Sequence, residues 1–291
     1  MRNILSKYNQ DIIRMKFSLI MPTINRYSEI IIFMNSLSKQ TYQNFELIII
    51  DQNENSKIAD ICSSYPMETK IIKSKVKGLS INRNIGLKYV SGDIVAFPDD
   101  DCEYENNTLE NVILFFNNNH KYDFCTCSTK EKNSELSILS NKSGDTDIKL
   151  NNVMYTGISF TIFVRAAIMS NFKFDEQLGV GAEFGSGEES DLLFFLLKNG
   201  RRGYYRSQFC IYHPFKHETT EKAYQYGRGY GAIHKKAVFY YKFYRYFFMF
   251  STTLIKELLK IIFYKYSKER IHAMKGRIYG FCHYKYLRQE K

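Results

Sequence analysis

Short apolar runs alternate with helical patterns through the first half of the chain. The runs predict strands at 17–21, 45–50, 69–73, 93–97 and 122–127, and the segments between them predict helices at 28–40, 56–64, 80–90 and 107–118. Strands that alternate with helices favour a parallel sheet that is covered on both faces. The pattern therefore predicts an α/β protein with a doubly wound, mostly parallel, Rossmann-like sheet.

The pattern changes after the fifth predicted strand. Residues 128–152 are polar and rich in Ser, Lys, Asn and Asp, which predicts a surface insertion or a mobile loop. Apolar residues return at 153–164, and we expect a helix from Arg165. A glycine-rich stretch then leads into a helix that starts with acidic residues at Glu188 and stops at Gly200, with a strand following at 204–207.

Positive charge is concentrated at the C-terminal end. The 291 residues have a net formal charge of +11, and residues 235–291 hold 14 Lys and Arg against 3 Asp and Glu, an excess equal to that of the whole chain. Residues 1–234 are therefore neutral overall. This division predicts two regions, 1–234 and 235–291, that do different work.

The C-terminal region interleaves Tyr, Phe, Ile and Leu with Lys and Arg, which predicts a basic, aromatic helical tail. Its uncharged run at 246–255 is too short to cross a bilayer, but such a helix suits the surface of an anionic membrane. The alternative is a helical subdomain packed on the rest of the protein. Basic and aromatic residues can also bind nucleic acid, but a recognised motif and an extended basic groove are both missing, so we expect no nucleic-acid partner.

The sequence features that report on location point to the cytoplasm. The six cysteines show no CxxC pair and no zinc-type spacing. The first residues lack the apolar core of a signal peptide, and no run is long enough to span a bilayer. We expect a reducing, cytoplasmic location.

Three acidic clusters could hold a cation: Asp51, the run Asp99–Asp101, and Glu188–Glu189 with Asp191. The first two follow predicted strands, and ligands of such sheets bind beyond the carboxyl ends of the strands. Carboxylates suit Mg²⁺ or Mn²⁺, which proteins commonly share with substrate phosphates. A cation on Asp99 and Asp101 would thus hold a diphosphate. The alternative is a solvated acidic turn that caps the helix beginning near Asn107.

Four motifs occur in order along the chain: SLIMPTINRYSEI, SLSKQTYQNFELIIIDQN, GLSINRNIGLKYVSGDIVAFPDDDCEY and GSGEESDLLFFLLKNG. Over residues 17–215 they resemble the family 2 glycosyltransferases, inverting, nucleotide-sugar-dependent enzymes of the GT-A fold. The resemblance implies a catalytic domain at 1–234, with a nucleotide-binding part at about 17–128 and an acceptor-binding part at about 151–234. It also implies Mn²⁺ or Mg²⁺ as the cofactor.

The same resemblance implies the substrates and their setting. The donor would be a nucleotide-diphospho-sugar and the acceptor a glycan or a lipid-linked molecule. The usual biological role of this family suggests that the protein works in bacterial surface polysaccharide biosynthesis. Contact of the 235–291 tail with the inner membrane leaflet would place the protein peripherally on the cytoplasmic face.

Roles for the donor site follow from the resemblance position by position. Asp51 would accept hydrogen bonds from the base or ribose, and the Arg83 guanidinium would face the diphosphate, where it can bind two oxygens. The alternative for Arg83 is an exposed helix arginine. The implied nucleotide-binding residues are Pro22, Thr23, Arg26, Asp51, Arg83, Asp99 and Asp100. Asp99 and Asp101 would be metal ligands, while Asp100 can point away.

The catalytic base and the third metal ligand have alternatives. In the E-D-x-D signature of the resembled family the second acid removes the acceptor proton, and here that position is Glu189 rather than Asp. Because its side chain is one methylene longer, Glu188 and Asp191 stay candidates. His213 corresponds to a third metal ligand in some relatives, with His217 as the competitor.

Two rival functions fit parts of this pattern. A nucleotidyltransferase acting on a sugar phosphate would also place a carboxylate-bound metal beside a nucleotide, but it would not need the acids at 188–191. A catalytically silent, membrane-associated scaffold could keep the fold without turnover.

Overall fold

The protein has an α/β fold, in which a central sheet is followed by a group of helices at the C-terminal end of the chain. The computed structural model describes residues 14–132, 144–215, 219–263 and 267–286. The strands are β1 Phe17–Thr23, β2 Phe45–Asp51, β3 Thr69–Lys73, β4 Ile94–Ala96, β5 Glu103–Tyr104, β6 Phe124–Lys130, β7 Thr146–Ile148, β8 Ile162–Arg165 and β9 Gly203–Tyr212. The α-helices are α1 Tyr27–Ser38, α2 Lys57–Cys62, α3 Leu79–Leu87, α4 Thr108–Asn118, α5 Glu188–Lys198, α6 Thr220–Phe239, α7 Arg245–Phe263 and α8 Lys268–His283.

The described strands form one sheet in the order β3-β2-β1-β4-β8-β6-β9-β5, with β7 also paired to β9. Strands β3, β2, β1 and β4 are parallel to one another, and their register sets Thr23 beside Asp51. All residues of β1 and β2 are buried, because helices cover both faces of this part of the sheet. The predicted doubly wound, mostly parallel α/β sheet is confirmed.

The sheet becomes mixed beyond β4. Strand β8 is antiparallel to both β4 and β6, whereas β6 and β9 are parallel. Strand β6 continues to Lys130 and β7 forms at 146–148, so the described parts of the polar segment 128–152 include sheet as well as loop. Residues 133–143 of that segment lie outside the described residues.

The predicted helix from Arg165 is wrong. Arg165 is the last residue of β8, and only a single 3₁₀ turn, Ala166–Ile168, follows it. Its backbone N–H donates to the Asp123 carbonyl, and its guanidinium donates to the Tyr122 and Phe116 carbonyls. These bonds to neighbouring elements fix Arg165 in the sheet.

The C-terminal helices pack against one another, and α6 also packs against α5. A Cβ added at Gly231 of α6 would lie 2.0 Å from the Arg277 carbonyl oxygen of α8, so the two helices touch backbone to backbone. Tyr241, Tyr246 and Tyr284 belong to the same buried apolar cluster as α5. The boundary predicted between 234 and 235 falls inside α6 and does not separate two packed units, because charge, not packing, defined it.

The length and the apolar character of the helices determine whether any of them could span a membrane. Across the described ranges of the chain, no helix combines the length and the apolar character that crossing a bilayer requires.

Candidate active site

The floor of the site is the edge where β1 and β2 end. Pro22 and Thr23 are the last residues of β1, and both are buried. Asp51 ends β2 fully buried, and its carboxylate accepts hydrogen bonds from Asn53 and, at 2.7 Å, from Lys73 Nζ. These bonds fix the Asp51 carboxylate at the end of β2, and binding of a nucleotide there stays a prediction.

The three consecutive aspartates lie in the loop after β4 and point in different directions. Asp100 Oδ2 accepts a 2.7 Å hydrogen bond from Thr23 Oγ1. Burial raises the pKa of Asp100 to about 7, and the charges of Asp101 and Asp99 also raise it. Arg26 Nη1 lies 3.8 Å from Asp101 Oδ2, which brings Arg26 to the same loop.

Asp99, Asp101 and His213 form a cluster with the composition of a metal site. One ligand atom of each residue lies within 4.8 Å of the others. His213, directly after β9, has its Nε2 2.9 Å from Asp101 Oδ1, and its ring stacks on Phe160 with centroids 4.7 Å apart. The two carboxylates supply the oxygen ligands that Mn²⁺ and Mg²⁺ prefer, and the imidazole would add one nitrogen ligand. The competitor His217 lies outside the described residues.

Arg83 joins the two acidic clusters. Its side chain is fully buried, with Nη2 3.0 Å from Asp99 Oδ1 and Nη1 3.3 Å from Glu188 Oε1. The guanidinium also lies over the rings of Phe97 and Phe174. The alternative of an exposed helix arginine is wrong, and contact of Arg83 with a diphosphate stays a prediction.

The first turn of α5 presents two glutamates with different surroundings. Gly187 precedes the helix at φ +98°, a conformation that favours glycine, and a Cβ there would lie 3.2 Å from Ile233 Cβ. Glu188 is buried against Arg83, whereas Glu189 is partly exposed and lines a cavity. Burial raises the pKa of Glu189 above the ordinary carboxyl range, and the charge of Glu188 raises it further.

Asp191 faces away from these groups. Its carboxylate is fully enclosed, accepting hydrogen bonds of 2.8 Å from both Lys236 Nζ and Tyr241 OH. Lys236 also donates to Asp175 at 2.8 Å. Glu188 and Glu189 line the cavity beside this helix turn, but Asp191 does not. Because its carboxylate is enclosed by its partners, Asp191 cannot reach an acceptor hydroxyl, and the structure removes it from the candidate bases.

A cavity of about 520 Å³ connects these parts. Asp99, Glu188, Glu189 and His213 line one side of it, and residues of α6 and α8 line the other. This second wall, which was not predicted from the sequence, includes Lys222, Tyr226, Tyr230 and Arg277. The four-residue spacing of the first three was the available signal, since it places them on one face of a helix.

Comparison with known proteins decides the family. A model of glycosyl transferase family 2 matches residues 18–176, more than half of the chain. The chain belongs to this family. The four motifs and the acidic strand ends lie within or just beyond the matched region, and the resemblance seen in the sequence is confirmed.

Relatives and solved structures extend the comparison. The GalNAc(5)-diNAcBac-PP-undecaprenol beta-1,3-glucosyltransferase of Campylobacter jejuni is 24% identical over 70% of this chain and 67% of its own. The minor teichoic acid biosynthesis protein GgaB of Bacillus subtilis is 28% identical over 57% of this chain, and the match covers 20% of that protein.

Two solved structures share the fold. Staphylococcus aureus TarS 1-349 in complex with UDP-GlcNAc has a TM-score of 0.62 at 21% identity, covering 77% of this chain and 67% of that one. The mannosyltransferase PcManGT from Pyrobaculum calidifontis, in complex with GDP-Man and Mn²⁺, has a TM-score of 0.66 at 11% identity, covering 92% and 87%. The fold of this protein is therefore that of the GT-A glycosyltransferases.

Proposed function

We propose that this family 2 glycosyltransferase is an inverting, metal-dependent enzyme. It would move a sugar from a nucleotide-diphospho-sugar to a hydroxyl group of a glycan or lipid-linked acceptor. One observation carries the proposal: Asp99 and His213 of the candidate metal cluster line the same cavity as Glu189. The same cavity therefore contains a candidate cation site, which would bind the donor, and a candidate general base, which would act on the acceptor.

The donor would bind at the ends of β1 and β2 and at the loop that contains Asp99–Asp101. Asp99, Asp101 and His213 would hold Mn²⁺ or Mg²⁺, which neutralises charge on the departing nucleoside diphosphate. Pro22, Thr23, Arg26 and Asp51 would surround the nucleotide, as the resemblance implies. Asp100, which faces Thr23, would contribute to the shape of this pocket and not to the cation.

The acceptor hydroxyl would be activated at the first turn of α5. Glu189 would accept the proton of the acceptor hydroxyl as that oxygen attacks the anomeric carbon. Arg83 fixes Glu188, and the Glu188 charge makes the neighbouring Glu189 more basic. A single displacement through an oxocarbenium-like transition state inverts the anomeric configuration and requires no covalent enzyme intermediate.

The setting we propose is bacterial surface polysaccharide biosynthesis at the cytoplasmic face of the membrane. The name of the Campylobacter jejuni relative specifies an acceptor linked to undecaprenol through a diphosphate. A UDP-sugar occupies the related TarS structure, which supports a nucleotide-sugar donor here.

A membrane contact through α7 supports that setting. This helix buries only Tyr246 and Phe250, while its opposite side leaves large apolar residues exposed, among them Phe248 at 69% and Ile262 at 62%. The same helix carries Arg245, Lys256 and Lys260, and the whole excess of positive charge lies in residues 235–291. A helix of this kind lies in the interface of an anionic membrane.

The membrane contact is tested by flotation with vesicles. We expect binding to vesicles of anionic phospholipid and none to purely zwitterionic ones. Phe248→Glu with Ile262→Glu should abolish binding, whereas the control Ser38→Glu with Ser64→Glu, at two exposed positions elsewhere, should retain it. Equal flotation of both double variants would refute the α7 contact.

The glycosyl transfer is tested by product analysis. The protein should be stabilised thermally by one nucleotide-sugar in the presence of Mn²⁺, and turnover should release a nucleoside diphosphate. Release of pyrophosphate would identify a nucleotidyltransferase instead. Failure to bind or hydrolyse any nucleotide-sugar would favour the silent scaffold.

A further inference from the structure

The cavity that contains Glu189 has a second wall with a different chemistry. Lys222, Tyr226 and Tyr230 follow one another at four-residue intervals on one face of α6, and Arg277 reaches the cavity from α8. None of these residues belongs to the strand ends or to the aspartate loop that would bind the donor. The wall is therefore available for contacts with the acceptor.

Both cations of this wall lie against aromatic rings. Lys222 Nζ is 5.5 Å from the centre of the Tyr226 ring, and Arg277 Cζ is 5.0 Å from the centre of the Tyr230 ring. Tyr226 is 41% exposed. The first contact lies within α6 and the second joins α8 to α6, and neither neutralises the positive charge of the cation.

Arg277 has donor groups without acceptors. Its Nε and Nη1 atoms are buried, yet neither has a hydrogen-bond partner among the residues that the structure describes. Within those same residues, neither Arg277 nor Lys222 is within ion-pair distance of a carboxylate; the ion pairs found are all made by other residues. Buried charged donors that lack acceptors are costly, so this arrangement is suited to a ligand that supplies anionic oxygens.

We propose that Lys222 and Arg277 bind a phosphate group carried by the acceptor, while Tyr226 and Tyr230 pack against the adjoining part of that molecule. This rests on the proposed glycosyl transfer, because it assigns the cavity's second wall to the acceptor of that reaction. A guanidinium can bind two phosphate oxygens at once, and an ammonium adds a second positive charge. The phosphate could belong to a lipid-linked diphosphate or to a phosphodiester within a polymer.

The first test measures phosphate binding without the donor reaction. Inorganic phosphate is titrated into the full-length protein in the presence of a chelator, with potassium chloride at equal ionic strength as the reference. We expect Arg277→Gln and Lys222→Gln each to weaken binding at least tenfold. Lys275→Gln, which removes the same charge from an exposed position on α8, should bind like the wild type. Equal binding by Arg277→Gln and Lys275→Gln would overturn the proposal.

Two further measurements separate binding from folding and from donor chemistry. Arg277→Lys keeps the charge and should retain more phosphate binding than Arg277→Gln; a loss as large as that of Arg277→Gln would argue for a packing role alone. Metal-dependent hydrolysis of the donor is measured on the wild type in a separate assay, because other residues would bind the donor. If the wild type hydrolyses no donor but phosphate binding behaves as described, the proposed function fails and the anion site remains.

Competition identifies the source of the phosphate. A short-chain polyprenyl diphosphate and a short glycerol phosphate oligomer are each tested for displacement of inorganic phosphate from the wild type. Displacement by the first supports a lipid-linked acceptor, and displacement by the second supports a phosphodiester polymer. If neither competes, the assignment of this wall to the acceptor is wrong.

Discussion

Lys236 of α6 donates a 2.8 Å hydrogen bond to the buried carboxylate of Asp191 on α5, and the two residues are 45 positions apart in the chain. Asp191 follows Glu188 and Glu189 within one turn of the same helix. Lys236 therefore connects the C-terminal helices to the turn that carries the candidate base. Asp175 accepts a second bond from Lys236, so one ammonium group serves two buried carboxylates.

Replacing Lys236 with Met should destabilise the protein strongly, by about 3–5 kcal/mol, because two carboxylates would stay buried without their cation. Urea unfolding monitored by circular dichroism measures this change. Lys275→Met, at an exposed position of α8, should change the free energy of unfolding by less than about 0.5 kcal/mol. Similar midpoints for the two variants would show that the Lys236 pair contributes little.

Replacing Asp101 with Asn should remove one ligand of the candidate metal cluster. We expect Mn²⁺-dependent binding of nucleoside diphosphate to weaken by more than tenfold, as measured by calorimetry, since the amide oxygen carries no charge. Asp60→Asn, on the exposed side of α2, serves as the control and should bind normally. Unchanged Mn²⁺-dependent binding by Asp101→Asn would contradict the metal role of this loop.

Replacing Glu189 with Gln tests the base. Donor binding should persist, whereas the rate of transfer should fall by about 10²–10⁴-fold, the usual contribution of a positioned general base. Glu183→Gln, an exposed glutamate in the preceding loop, should keep near wild-type rates. Full activity of Glu189→Gln would move the role to Glu188, because Asp191 is enclosed by Lys236 and Tyr241.

The pH dependence of transfer should report the same group. Glu189 accepts a proton only when it is ionised, and its pKa is raised, so the rate should fall as pH decreases through a value above the ordinary carboxyl pKa of about 4.3. Glu188→Gln removes the neighbouring negative charge, which should shift this acid limb to lower pH. A limb that stays in place in Glu188→Gln would show that another group controls it.

Local patterns in the sequence predicted the strands and helices of the first half, since a strand or helix that faces a core repeats its apolar residues at a fixed interval. They also located the acids at the strand ends. The bond between Arg83 and Glu188 spans 105 positions, and no spacing rule predicts which cation meets which acid at that distance. For the same reason, the sequence did not predict the hydrogen bonds from Lys236 to Asp175 and Asp191.

The boundary at 234/235 failed for a different reason. Net charge changes at that point of the sequence, but packing does not, because Lys236 is buried although it contributes to the basic excess. The glycines of α6 and α8 were a better signal. They recur four residues apart in both helices, an interval that places small residues on one face and permits close contact.

That contact predicts the effect of adding a methyl group between the helices. Gly231→Ala would bring its Cβ within 2.0 Å of the Arg277 carbonyl oxygen, so α8 must move away from α6. We expect a loss of about 1–3 kcal/mol in the free energy of unfolding, as is usual for overpacked sites. In contrast, a Cβ at Gly144 would meet no atom within 4 Å, so Gly144→Ala is the matched control and should be close to neutral. Chemical denaturation measures the free energy of unfolding of the two variants. If Gly231→Ala is as stable as the wild type, the two helices are not in backbone contact.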